Sequence, residues 1–293
     1  MTKLFSTALK DIRHFLQSEP RRVYRISDIP GFLSAENRSA WKLSAGLRAK
    51  PFLEELLSSG LLRRMELKSP KYPGKDQIRY VFGEPSPFEL ALSLQHGSYL
   101  SHGSAVFLHA LTDQIPQTVY LNIEQSQKPA PSGGLTQAGL DRAFAGTQRE
   151  STFSYDLGTS SIVVLSGKNS GRLEVGSMSG PDGVELSVTR LERTLIDIAV
   201  RPVYAGGVYQ VLEAFKGAKG KSSVNVLLAT LKKLGYVYPY HQAIGFYMER
   251  AGYPESALQR VEALGMEHTF YLTHGLKEKG MDPRWRLFYP KGM

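Results

Sequence analysis

Between Val184 and Phe215 the chain reads VELSVTRLERTLIDIAVRPVYAGGVYQVLEAF. Within these residues the apolar pattern changes period. Val184, Leu186 and Val188 alternate with Glu185 and Ser187, the pattern of a half-buried strand, and from Leu191 the apolar positions Leu191, Leu195, Ile196, Ile198 and Ala199 follow one helix face. Thr189 and Glu192 stand at the change with the spacing of a T-x-x-E capping box. Pro202 ends the helix, Gly206 and Gly207 turn the chain, and Val208, Val211, Leu212 and Phe215 start a second amphipathic helix. A strand running into two helices buries its apolar face only against a sheet with helices beside it, so the expected class is α+β, with mixed α/β layers.

Ahead of this block the chain divides by charge. Residues 1–83 hold 16 Lys+Arg against 8 Asp+Glu, while residues 84–293 hold 20 against 19, so nearly all of the net +9 lies in the first part. Glu84-Pro85-Ser86-Pro87 marks the boundary as a stiff, extended link. The expected organisation is a small basic domain over 1–83 and a larger one over 88–293, mixed α/β to about residue 215 and helical from about 222.

The basic domain has a legible order. Leu4, Ala8, Ile12, Phe15 and Leu16 share one helix face, and Ser27 is placed to cap a short second helix carrying Ile29, Phe32 and Leu33. A helical region over 37–59 is interrupted at Gly46 and by Pro51, a residue that suits a helix's first turn. Two alternating stretches follow, Leu61–Lys68 and Ile78–Phe82, joined by SPKYPGKD with Pro73-Gly74 in type II turn positions. Three helices followed by a two-stranded ribbon with a basic tip is the order of a winged helix-turn-helix. One helix of such a domain reads the major groove while the ribbon lies along neighbouring backbone. Lys68, Lys71, Tyr72 and Lys75 at the tip are the expected phosphate contacts; Arg38, Lys42, Arg48 and Lys50 are the expected contacts of the reading helix. Either the segment 37–48 or the helix starting at Lys50 can be that helix.

In the second part, Phe88–Leu94 and Leu100–Leu111 read as helices and Thr118–Ile123 as a strand. Gln125–Gln137 is a Pro/Gly/Ser-rich loop, and a short helix carries Leu140 and Phe144. Ser161–Leu165 reads as a strand, and Arg172–Met178 and Val184–Val188 form a hairpin turned by Gly180-Pro181-Asp182-Gly183. Helices are expected over Val224–Leu234 and Glu255–Leu264, with Tyr236, Tyr238, Tyr240, Phe246, Tyr247 and Tyr253 between them as core or interface.

Chemistry-bearing patterns are sparse. The chain has no cysteine, which removes thiol catalysis, disulfides and Cys-based zinc fingers and fits a reducing compartment; a cytoplasmic location, with no membrane association, is the expectation. His96, His102 and His109 lack the spacing of zinc ligands on a helix. Glu192 and Asp197 point away from each other on one helix. The lettering of GAKGKSS does not match a phosphate-binding loop. No catalytic residue, metal or cofactor is expected.

Two blocks carry a resemblance: the 184–215 stretch, and LSHGSAVFLHALTDQIPQTVYL over Leu100–Leu121. Together they resemble the abortive-infection AbiEi family, the antitoxin and regulator component of type IV toxin-antitoxin pairs, over roughly residues 88–215, with a looser match in the tail. The resemblance implies a DNA-binding antitoxin that represses its own operon at inverted repeats through an N-terminal winged helix. Its second domain would counteract a cognate nucleotidyltransferase-like toxin. Alternatives within that reading are an antitoxin acting mainly by direct binding to the toxin, and an enzyme that reverses the toxin's modification.

Overall fold

The computed structural model describes residues 3–127 and 133–293. The fold class is α+β, built on three sheets. The N-terminal part runs α1 (Lys3–Ser18), β1 (Val23–Tyr24), α2 (Ile29–Phe32), α3 (Ala35–Ala40), α4 (Ala49–Ser58), β2 (Arg63–Leu67) and β3 (Gln77–Val81), with an antiparallel sheet ordered β1-β3-β2. Pro51 lies in the first turn of α4, and Gly60 follows that helix in the left-handed region at φ 69°. Ser27 caps nothing. It lies inside a 3₁₀ turn (Ile26–Asp28), and the Asp28 carboxylate instead accepts the Arg25 amide at 2.8 Å.

The ribbon buries both faces, which its alternation did not foretell. Tyr80 and Phe82 face a core made by α1, α2 and α4, around Ile12, Leu16, Tyr24, Phe32, Trp41, Phe52 and Leu56. Val23, Leu67 and Val81 point the other way, into a second core. Ile78, expected to share the inward face with Tyr80, is 40% exposed, while the neighbouring Arg79 is buried.

That second core belongs to a six-stranded sheet ordered β6-β7-β5-β4-β9-β8. Its strands are β4 (Tyr99–Leu100), β5 (Thr118–Glu124), β6 (Ser154–Asp156), β7 (Ser161–Gly167), β8 (Val175–Ser179) and β9 (Glu185–Thr189). β5 pairs parallel with β7 and β4 parallel with β9; the remaining pairs are antiparallel. The registers Val119↔Ile162, Leu121↔Val164 and Leu100↔Val188 put these apolar side chains on one face. Helix α5 (Pro87–Ser93) covers that face with Phe88, Leu90 and Ala91, beside Val23, Leu67 and Val81 of the first sheet. The supposed link is therefore ordered structure: Ser86 caps α5, its hydroxyl accepting from the Glu89 amide and Glu89 accepting from the Ser86 amide, and Pro87 is the first helical residue.

Leu100 belongs to a strand, and the helix expected to start there is the shorter α6 (His102–Leu108). The loop after β5 lies partly, at residues 128–132, outside the described residues; α7 (Gln137–Ala145) follows it, with Leu140 and Phe144 buried. The β8–β9 hairpin turns at Gly180–Gly183, and β9 feeds α8 (Leu191–Val200). The expected Thr189–Glu192 capping box is absent. The Thr189 hydroxyl pairs with that of Thr194 at 2.8 Å, and the Glu192 carboxylate reaches the Ser223 amide at 2.7 Å, at the start of another helix. In the interior of α8, Arg193 and Asp197 form a buried ion pair at 2.8 Å.

Helices α9 (Val208–Ala218), α10 (Val224–Leu234), α11 (Tyr240–Arg250) and α12 (Glu255–Glu262) build the largest core with α8. Tyr240, Phe246, Tyr247 and Tyr253 lie within it. The tail is not wholly helical. It closes with β10 (Phe270–Tyr271), β11 (Lys279–Asp282) and β12 (Leu287–Pro290), a mixed sheet ordered β10-β12-β11. These strands are too short and their apolar residues too closely run together to show an alternating period.

Candidate nucleic-acid interface

Helix α4 owes its position to Phe52, Leu53 and Leu56, which bury one face and leave Lys50, Pro51 and Glu54 outside. Arg48 is its N-cap residue, makes no side-chain capping bond and is exposed, as is Lys50 two residues on. Glu54 lies one turn on from Lys50 on the exposed surface and confines the basic character of α4 to its first turn.

Arg38 is differently employed. It sits in α3 and donates to the carbonyls of Leu33, Ser44 and Leu47 at 2.9, 2.8 and 2.8 Å, so its fork braces the turn between α3 and α4. Lys42 follows α3 at φ 53°, exposed, in the same turn. Among the described residues Lys42, Arg48 and Lys50 form no ion pair.

The ribbon tip is a built turn. The Lys75 amide donates to the Tyr72 carbonyl at 3.0 Å around Pro73 and Gly74, the latter at φ 85°, the geometry of a type II turn. The Asp76 carboxylate accepts the Ser69 amide at 2.7 Å and closes the base. Lys68, Lys71 and Lys75 stand exposed around this turn, without ion pairs among the described residues.

Tyr72 points elsewhere. Its hydroxyl meets that of Thr152 at 2.8 Å, and its ring packs edge-on against Phe153 at 5.4 Å. The Tyr155 hydroxyl donates to the Lys75 carbonyl at 3.1 Å and receives the Gln77 amide group at 2.8 Å. At the end of β2 the Lys68 carbonyl accepts the Asp156 amide at 2.9 Å. The ribbon is thus held along its length by β6 and the residues before it, and its lysine side chains are what remain outward.

The joint between the two parts contains residues that sequence reasoning missed. Arg22 binds Glu89 bidentately, at 2.5 and 3.1 Å, and reaches Asp182 at 3.1 Å. Arg25 donates to the Ser93 carbonyl at 2.8 Å, and Arg79 donates to the Ser93 hydroxyl and carbonyl, both at 2.9 Å. Arginines of the first part therefore hold the capping carboxylate of α5 at one end and its free carbonyls at the other. Among the described residues Arg79 has no carboxylate partner; burial, with the Arg25 charge adding to it, lowers its pKa to about 10. The capping-box spacing of Ser86 and Glu89 was a readable signal for α5, whereas nothing local marks which arginines would reach it.

His102 and His109 have structural partners, and His96 is exposed. His102, fully buried, meets the Ser101 hydroxyl at 2.9 Å, and His109 meets the Thr189 carbonyl at 2.7 Å. Among the described residues no group of His, Asp or Glu is arranged to hold a metal ion, and no helix is long and apolar enough to cross a membrane.

No family model matches the sequence, and no curated protein matches it. A solved structure does. The chain shares its fold with the RV2827C protein from Mycobacterium tuberculosis. The two superpose with a TM-score of 0.59 over 98% of this chain and 92% of that one, at 14% sequence identity. At that identity the likeness is one of architecture, and it spans both parts of the molecule rather than one of them.

Proposed function

We propose that the chain is a DNA-binding regulator of the antitoxin kind, in which residues 1–83 act as a winged helix-turn-helix on double-stranded DNA. The observation that carries this reading is the concentration of unpaired, exposed cations at two places: Lys42, Arg48 and Lys50 around the start of α4, and Lys68, Lys71 and Lys75 at the ribbon tip. The order helix, strand, three helices, then two strands supports it, because the helix immediately before the ribbon is the one such domains insert in the major groove. On this reading α4 is the recognition helix and base contacts come from Arg48 and Lys50. Arg38 supports the turn that presents them, Tyr72 anchors the ribbon, and the three ribbon lysines contact phosphates.

The resemblance to AbiEi antitoxins extends the proposal to autorepression at inverted repeats and to antagonism of a nucleotidyltransferase-like toxin by residues 88–293. Action through a tight complex with the toxin is the weaker alternative. The most exposed apolar side chains of that part, Ile115, Tyr209 and Val237, sit on separate segments of the chain.

The test is binding of the purified protein to the duplex upstream of its own gene and to a scrambled duplex, across a salt series. Tighter binding to its own site is expected. The double variant Lys71→Ala, Lys75→Ala should weaken both duplexes alike and reduce the slope of log K against log salt by about 2. Arg48→Ala should instead narrow the gap between the two duplexes by roughly 1–3 kcal/mol. Equal, weak binding to both duplexes by the unaltered protein would rule the proposal out.

A further inference from the structure

A cleft of about 560 Å³ opens where the first part meets the six-stranded sheet, with Arg21, Arg22 and Arg25 on one side and Arg172 with Glu185 on the other. Its volume is in the range of sites that enclose small molecules, and a junction between two parts of a fold is where such sites concentrate.

The charges around it do not balance. Arg22 is taken by Glu89 and Asp182, and Arg21 stands 4.0 Å from Asp28. Glu185 holds the Ser177 hydroxyl. Arg25 and Arg172 face no carboxylate within ion-pair distance among the described residues. Arg79, buried and holding the same Ser93 carbonyl as Arg25, has none either among the described residues. Exposed His96 lies in the same lining. Against Arg25, Arg172 and Arg79 stands one carboxylate without a cationic partner among the described residues, Glu185, so the excess is cationic and is drawn from both parts of the molecule.

Arg25 and Arg172 are also positioned. Arg25 uses its Nε to hold the Ser93 carbonyl, and Arg172 donates to the carbonyls of Gly97 and Ser98 and, at 2.8 Å, to the Ser187 hydroxyl. They therefore grip the two ends of one short loop, 93–98, with His96 between them. A guanidinium has five N–H donors, so each retains some for a ligand. The same cleft has an apolar wall that includes Val23 and Leu92.

We infer that this cleft binds a small molecule bearing a phosphate group, its dianion bridging Arg25 and Arg172 and its remaining body lying on the Val23–Leu92 wall. Planar guanidinium forks match phosphate oxygens in pairs, and two forks from different segments suit a doubly charged group better than a monoanion. The site is separate from the cations assigned to DNA and stands whether or not that assignment does.

The test uses the full chain, by calorimetry, with adenosine 5′-monophosphate, inorganic phosphate and adenosine as probes. Saturable binding in the order monophosphate, then phosphate, then adenosine is expected. Arg25→Gln and Arg172→Gln should each weaken the monophosphate at least about tenfold, and Lys50→Gln with Lys71→Gln should leave it unchanged. Because Arg25 also holds α5, each variant's melting temperature is measured without ligand; should Arg25→Gln fail to fold, Arg172→Gln, whose side chain is exposed, decides alone. The inference is overturned by no saturable binding of any phosphate probe, by adenosine binding as well as its monophosphate, by binding unaffected in Arg172→Gln, or by binding lost in the lysine variant.

Discussion

His102 opens α6 at φ 50°, a conformation few non-glycine residues adopt, with its ring closed off beside Tyr204. Burial, together with the nearby Arg201 and Arg193 charges, lowers its pKa from 6.5 to about 3. Unfolded, the imidazole binds a proton below about pH 6.5, and folded it does not, so stability is present above that pH and is lost as the pH falls from there toward 3. His102→Asn keeps a residue that tolerates the backbone angle and removes the titration. Unfolding free energies from urea titrations of the parent should therefore fall more steeply from pH 7 to pH 5 than those of the variant, by up to about 1.4 kcal/mol per pH unit. Parallel curves would mean that another group sets the acid response. At this scale the sequence was readable for the character of a residue and seldom for its partner. His102 and His109 are internal hydrogen-bonding groups while His96 is exposed, and Glu192 was assigned to the helix it belongs to but serves α10 instead. Hydrogen bonds between residues 31 apart leave no spacing to read.

At the scale of elements, α11 is fitted to the turn before β12. Gly245 lies flat under the ring of Trp285, which is wholly buried and donates its indole N–H to Glu249 at 2.6 Å. A Cβ at position 245 would sit inside the ring's own volume, and the ring, held at its N–H, cannot swing aside. Gly245→Ala is expected to destabilise the protein by about 1–3 kcal/mol despite its better helix propensity, read as a lower denaturant midpoint at unchanged m value. The long amphipathic helices and the β5, β7 and β9 strands were legible, because each repeats an apolar period over several turns or pairs. The short strands β1, β6 and β10 were not. They have two or three residues, too few to express any period, and they exist because a neighbouring strand offers its edge.

For the whole molecule, the decisive arrangement is that β1–β3 lie between two cores. Val23, Leu67 and Val81 pack with α5 and the large sheet, each such side chain contributing about 1.5–3 kcal/mol by burial. A sum of that order is comparable to the whole stability of a small domain. Thermal unfolding monitored by circular dichroism and by tryptophan fluorescence should therefore coincide, since Trp41 reports the first part and Trp285 the last. Two separated transitions would show that the parts melt independently. The change of charge at residue 83 falls between β3 and α5, yet charge describes surfaces, and this joint is made of interior. In evolutionary terms the consequence is a loss of exchangeability. A recombination event at Pro85 that attached the larger part to a foreign N-terminal module would leave α5 without Arg22, Arg25 and Arg79 and expose the apolar face of the sheet. The larger part keeps its packing only with its own first 83 residues, so the two are expected to descend together.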